Sequence, residues 1–233
     1  MISNPRESND FIDQLKGLIE SPANQEIPCR AFLKYVPEIL CKDTVINYVY
    51  KEEEFRGNLG DSDYIISGTI KDFVNNEYVR AYVWEIKAPQ CFIFEKDTEN
   101  RLKPSRDLIQ AENQLLNYYH ENKGSELFKD TFKVTHSDNV KFGGIIIGCN
   151  KTKIKGEFNN PDKANLLFQK AWHIRSNYFY DTLGIRLMTW DTILNSLKSE
   201  KFTNMRAENS VDKIYDAVLS TKEGLILLEF KTR

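Results

Sequence analysis

Two stretches, Asp63-Tyr64-Ile65-Ile66-Ser67-Gly68-Thr69 and Val83-Trp84-Glu85-Ile86-Lys87-Ala88-Pro89, decide how this chain folds. Both are rich in β-branched and aromatic residues and read as strands. The segment between them carries Asn75-Asn76, residues that tolerate turn conformations, so the two strands are expected to form a hairpin. Side chains alternate faces along a strand, which puts Glu85 and Lys87 on one side and Trp84 and Ile86 on the other. An acid and an amine in so apolar a strand are costly to bury and need a reason to be there. Asp63, entering the neighbouring strand, is expected to approach Glu85 across the pair. Two hard oxygen ligands are what Mg²⁺, which dehydrates reluctantly, typically takes from a protein. The expected centre is thus Mg²⁺ (or Mn²⁺) on Asp63 and Glu85, with the Ile86 carbonyl as a further ligand. A metal so placed lowers the pKa of bound water and neutralises a phosphate, while Lys87 orients the attacking water.

Working outward, Phe11, Leu15, Leu18 and Ile19 have helical spacing from Asn9 to Glu20, and Ser21-Pro22 ends the pattern. A second helix is expected from Pro28, bent or closed near Pro37. Thr44 to Tyr50 reads as a strand that makes a three-strand meander with the two above, and Cys91 to Phe94 as an extension of the sheet's edge. Ser105 caps a long helix through Leu108, Ala111, Leu115 and Tyr118 or Tyr119, with Gly124 just past its end. On that helix Gln114 and Tyr118 lie one turn apart on a shared face, where Gln114 can reach a metal-bound water or a phosphate. Gln110 shares the face with Gln114 but reads equally well as an ordinary exposed helix residue. Val140 to Gly148 is a buried strand, followed by a helix from Pro161 to Tyr180 and a strand from Ile185 to Met188. A short helix capped by Thr189 or Asp191 and two terminal strands complete the chain.

A length of 233 residues suits one large α/β domain, and 41% hydrophobic with 28% charged residues is an ordinary globular composition. A net charge of −2 gives no global attraction to polyphosphate, so any phosphate contact falls to local clusters. Two are visible: Arg101, Lys103 and Arg106, and Lys151, Lys153 and Lys155. Each alone reads as solvated loop charge at least as well. The start of the chain lacks a basic segment followed by an apolar one, and no apolar run is long enough to span a bilayer, so the chain reads as cytoplasmic with no membrane partner. Cys29, Cys41, Cys91 and Cys149 are too scattered for a disulfide framework or a structural zinc site.

Three rival signals are weaker. Gly143, Gly148 and Lys151-Thr152 lack the glycine directly before the lysine that a phosphate-binding loop needs. His120, His136 and His173 have neither i,i+4 pairing nor a cysteine partner. Asp216, Glu229 and Lys231 repeat the Asp, turn, Glu-x-Lys order, but no helix comes after them in this sequence, and a terminal hairpin with an ion pair accounts for them.

Asp63, Glu85-Ile86-Lys87 and Gln114-x-x-x-Tyr118, in the order strand, strand, helix, resemble the PD-(D/E)xK nuclease superfamily with its Q-x-x-x-Y extension. More narrowly, the segments beginning at Asp63, Val83, Ser105 and Gly143 resemble the nuclease domain of the Shedu anti-phage defence family. The resemblance covers roughly residues 25 to 200. It implies an α/β, restriction-endonuclease-like core, a mixed central sheet flanked by helices in the order αβββαβ, with additional C-terminal helices and strands. It also implies a Mg-dependent endonuclease that cleaves or nicks DNA ahead of RNA in bacterial antiviral defence, assembled as a homo-oligomer. Asp63 and Glu85 become metal ligands, Lys87 the catalytic lysine, and Glu26 or Glu38 a further acid on the first core helix. Ser62 stands where the superfamily often has proline, a residue that ligates nothing. The expected division is an N-terminal extension over 1–24, a nuclease-like domain over 25–200 and a C-terminal β-hairpin over 201–233. The competing reading is a catalytically inactive nuclease fold that binds DNA or oligomerises.

Overall fold

The computed structural model describes residues 9–41, 45–51, 55–56, 61–62, 64–72, 74–198, 217–221 and 224–228. Asp63, Asp216, Glu229 and Lys231 lie outside the described residues. Helix α1, Asn9–Glu20, has the bounds its apolar spacing predicts. The expected second helix is instead three short turns: α2 at Glu26–Arg30, a 3₁₀ turn at Leu33–Tyr35 and α3 at Pro37–Leu40. Pro37, lacking an N–H, opens the last of these rather than bending a continuous helix.

The strands of the first half are β1 (Val45–Lys51), β2 (Phe55–Arg56), β3 (Asp61–Ser62), β4 (Tyr64–Lys71) and β5 (Glu77–Ile86). Among the described residues, β2 and β3 pair only with each other. β1, β4 and β5 form the expected antiparallel meander, with Tyr64 opposite Trp84. The β4–β5 hairpin turns at Asn75, in the left-handed region at φ 66°, while Asp72 Oδ1 accepts from the N–H groups of Val74 and Asn76.

Next come β6 (Phe94–Thr98), β7 (Arg101–Pro104), α4 (Arg106–Gly124), α5 (Glu126–Phe132), β8 (Val140–Ile146), β9 (Ile154–Lys155) and α6 (Pro161–Arg175). After a π-helical segment at Ser176–Tyr180, β10 (Arg186–Met188) and a helical stretch over 190–198 close the core. β11 (Ala217–Thr221) and β12 (Gly224–Leu228) form a separate antiparallel pair. The chain is α/β: a mixed five-stranded sheet in the order β1-β4-β5-β8-β10, antiparallel on one side of β5 and parallel on the other. β6 does not extend this sheet, as the Cys91–Phe94 run had suggested. It is the middle strand of a second sheet, β7-β6-β9.

Helices cover both faces of the main sheet. On one, Trp84 and Ile86 pack with Phe11, Leu15, Leu33 and Leu40 of the N-terminal turns and with Trp190, Ile193 and Leu197. On the other, Ile65, Val83 and Ile145 pack with Leu108, Ala111, Leu115 and Tyr118 of α4 and with Tyr180. Each fully buried large apolar side chain contributes about 1.5–3 kcal/mol, so the two layers clamp the sheet between them. Ser105 Oγ accepts from Leu108 N at 3.0 Å and donates to Phe92 O at 2.5 Å, which fixes where α4 begins. The pairing of β5 with β8 is irregular next to Glu85. Val83 pairs with Phe142 but Trp84 with Gly144, so Gly143 is an extra residue in β8. A Cβ on Gly143 would lie 2.1 Å from Trp84 Nε1, so only glycine lets the indole lie against the bulge.

Candidate functional site

The alternation read in β5 is realised. Trp84 and Ile86 belong to the layer of N-terminal helices, and Glu85, wholly buried, faces the layer of α4. Lys87 Nζ lies 2.7 Å from Glu85 Oε1, with 14% of the lysine side chain exposed. The amine therefore stands at the rim and the carboxylate beneath it. The chain is held firmly here: Lys87 N–H donates to Ile146 O at 2.8 Å, and the Lys87 carbonyl accepts from Trp190 Nε1 at 2.7 Å. It then turns sharply, with Ala88 O accepting from both Cys91 N and Gly148 N and Pro89 O accepting from Thr152 Oγ1.

Gln90 ties this turn to the N-terminal helices. Its Nε2 donates to Leu18 O and Ser21 O, and its Oε1 accepts from Gln25 N. Glu26, the next residue and the first of α2, is thereby placed beside the exit of β5. The Cys91 thiol registers this: burial, then the negative charges of Asp107 and Glu26, push it up to about 11, while Lys87 pulls the other way. Glu38 is exposed on α3, whose terminal carbonyls at Ile39 and Leu40 are bound by Arg186 and Trp84 in the layer away from Glu85. Of the two candidate acids, Glu26 is the one whose charge reaches the Cys91 thiol, as that of Lys87 does.

On α4, Gln114 Nε2 lies 3.4 Å from the Tyr118 hydroxyl, so the expected shared face exists. Gln114 Oε1 is buried without a hydrogen-bond partner among the described residues, an acceptor open to a donor. Gln110 is exposed. Ile86 is fully buried at the end of β5.

The two basic clusters come to neighbouring elements, with Arg101 and Lys103 on β7, Lys155 on β9, Arg106 on α4 and Lys151 in a 3₁₀ turn. β7 and β9 lie on either side of β6, with Glu95 opposite both Lys103 and Lys155. Much of their charge is answered locally: Lys103 pairs with Glu95 at 3.0 Å and Arg101 with Asp97 at 2.5 Å. Lys153 is half-buried, its Nζ 5.2 Å from the Phe168 ring centroid, so its ammonium is turned toward protein. Arg106, at the start of α4, and Lys151 are exposed.

Sequence reading missed a buried ionic cluster. Glu112 of α4 bonds Arg175 Nε at 2.9 Å, pairs with a second Arg175 nitrogen and accepts from the Tyr180 hydroxyl. Burial pulls Arg175 down, but its bonds to Glu112 and Tyr180 more than offset this and hold it above its usual value; burial pushes the Tyr180 phenol up. The signal was present: Glu112 stands in the stripe formed by Leu108 and Leu115, where an acid needs a partner.

Among the described residues, no group of three or more His, Cys, Asp or Glu side chains gathers to hold a metal. Glu85 is the buried acid at the end of β5, and Asp63 lies outside the described residues. No described helix is long and apolar enough to cross a membrane. Comparison with protein families, curated proteins and solved structures gives no match, so the functional reading stands on this geometry.

Proposed function

We propose that the chain is a metal-dependent nuclease built on a restriction-endonuclease-like core, with the α1–α3 turns, the β1-β4-β5 meander, α4 and β8 as its αβββαβ unit. The observation that carries this reading is the Glu85–Lys87 pair: a wholly buried carboxylate under a rim-exposed ammonium, at the end of a central strand. A solvated surface pair would hold neither group in place. Asp63 joins from the sequence alone as the second acid, with Glu26, whose charge reaches Cys91 beside the site, as the additional one. These carboxylates would hold Mg²⁺ or Mn²⁺, which when bound would supply a water of lowered pKa and neutralise charge at the scissile phosphate. Lys87 presents its ammonium to the reacting phosphate, where charge develops in the transition state. The open Gln114 Oε1, beside Tyr118, accepts a hydrogen bond from the attacking water and fixes its direction. Exposed Arg106 and Lys151, with Lys103, whose ammonium also pairs with Glu95, contact the flanking backbone of DNA. Lys153, turned toward Phe168, contributes little.

The test is incubation of supercoiled plasmid with Mg²⁺ or Mn²⁺, comparing the natural chain with Glu85→Ala and Lys87→Ala. Nicked or linear product from the natural chain alone is expected. Equal inactivity of all three on plasmid, linear duplex and single strands would overturn the nuclease reading. The alternative is an inactive fold that binds DNA or oligomerises, which would retain the plasmid without cutting it. A role in antiviral defence and homo-oligomeric assembly belong to the same proposal and are read by phage plating and light scattering.

A further inference from the structure

We propose that Trp190 is a positioning residue for Lys87, acting through the Lys87 backbone carbonyl. The inference rests on reading Lys87 as the catalytic lysine. At the exit of β5, the hydrogen-bond ladder continues past the ends of the strands: Lys87 N bonds Ile146 O, Ile147 N bonds Met188 O, and Trp190 N bonds Gly148 O. This ladder puts residue 190 on the far side of β8 from Lys87. The indole of Trp190 reaches back across that strand and donates to Lys87 O at 2.7 Å. Both backbone groups of Lys87 are thus engaged, one by β8 and one by the segment after β10. A side chain of four carbons gains precision only when its root is fixed, and here the root of Lys87 is held from both sides while its tip lies on Glu85.

The alternative is that Trp190 merely fills the core, and the fold provides a control for that. Trp84 is also wholly buried, belongs to the same apolar layer, and also donates its indole N–H to a backbone carbonyl. Its acceptor is Leu40 O, at 3.1 Å, not Lys87. Trp190→Phe and Trp84→Phe therefore remove equal volume and one buried donor each, and differ in whether Lys87 is released.

Both variants and the natural chain are compared, at a temperature where all are folded, by plasmid cleavage kinetics and by amide hydrogen exchange of the segment 87–91. The expected result is a fall of about tenfold or more in kcat for Trp190→Phe with KM within about twofold, as for loss of an interaction that matters in the transition state. Faster exchange at Lys87 accompanies it, and Trp84→Phe changes neither to this degree. Equal losses in the two variants, or unchanged exchange at 87–91 in Trp190→Phe, would overturn the proposal. If the natural chain cleaves nothing yet Trp190→Phe alone loosens 87–91, the nuclease reading fails and the positioning of Lys87 stands. Should Trp190→Phe not fold, benzothienylalanine at position 190, which keeps the ring and replaces N–H by sulfur, takes its place with the same expected results.

Discussion

Replacing Lys87 by methionine tests whether Glu85 and Lys87 act as one unit. The ammonium lies 2.7 Å from a carboxylate with no exposed side-chain surface, while Lys87 itself keeps 14% exposure. Removing one member of a buried ion pair leaves the other in a low dielectric, which destabilises a fold by about 3–5 kcal/mol. Partial access of water to the lysine places the expected loss toward the lower end of that range, about 3 kcal/mol. Removing both, as Glu85→Leu with Lys87→Met, also removes both desolvation costs and is expected to be neutral or to stabilise by about 1–4 kcal/mol. A chain of this size loses roughly 2–4 °C of Tm per kcal/mol, so Lys87→Met should melt roughly 6–12 °C low and the double variant at or above the natural chain. Urea unfolding of all four members of the cycle gives the coupling energy directly. Coupling below about 0.5 kcal/mol, with Lys87→Met as stable as the natural chain, would refute the claim that the two groups share one water-poor site. The double variant should also be inactive on DNA, separating what the pair does for chemistry from what it does for folding.

Two further predictions concern the surroundings of the site. Burial holds the Cys29 thiol up to about 12 and the Cys91 thiol up to about 11, the latter also raised by Asp107 and Glu26, from an ordinary value near 9. The native state keeps these protons where the unfolded chain has lost them, so the contribution is whole below pH 9 and is lost as the pH rises toward 11 to 12. Urea stability should decline from pH 9 to pH 11, and a Cys29→Ala, Cys91→Ala chain should decline less; identical profiles would contradict the assignment. Gly143→Ala would place a methyl 2.1 Å from Trp84 Nε1, displacing the indole and its bond to Leu40 O. The expected cost is about 3 kcal/mol, at the upper end for overpacking, read as a lowered Tm; a loss under about 0.5 kcal/mol would mean the bulge tolerates a side chain.

The central sheet was legible because its signal is local. Period-two alternation in Val79–Lys87 assigns each side chain to a face without knowledge of any partner, and the Glu85–Lys87 pair arises from it directly. Ser105 and Asn75 were likewise readable, one as a cap and the other as a turn residue. The broken α2–α3 segment was less so, because residues 31–36 are apolar enough to pass for helix and only tertiary packing divides them. β7 and β9 hide in basic stretches of a few residues, too short for any periodicity, and are strands only because β6 lies between them. Glu112 with Arg175, and Trp190 with Lys87, join positions far apart in sequence, which no local pattern encodes. Asp63 is legible in the sequence alone and lies outside the described residues.

Arg186 donates to Ile39 O at 2.7 Å and to Leu40 O at 2.6 Å, so the end of α3 is closed by a residue 147 positions further on. During synthesis at about 5–20 residues per second, that guanidinium arrives roughly 7 to 30 s after the carbonyls it binds. Until then the Trp84 side of the sheet has no cover from the 190–198 helix, and α3 is held there by the Trp84–Leu40 bond without the Arg186 closure. The nascent chain therefore passes through an interval with an open apolar flank, and ribosome-proximal chaperone capture should peak before residue 186 emerges and fall once it has.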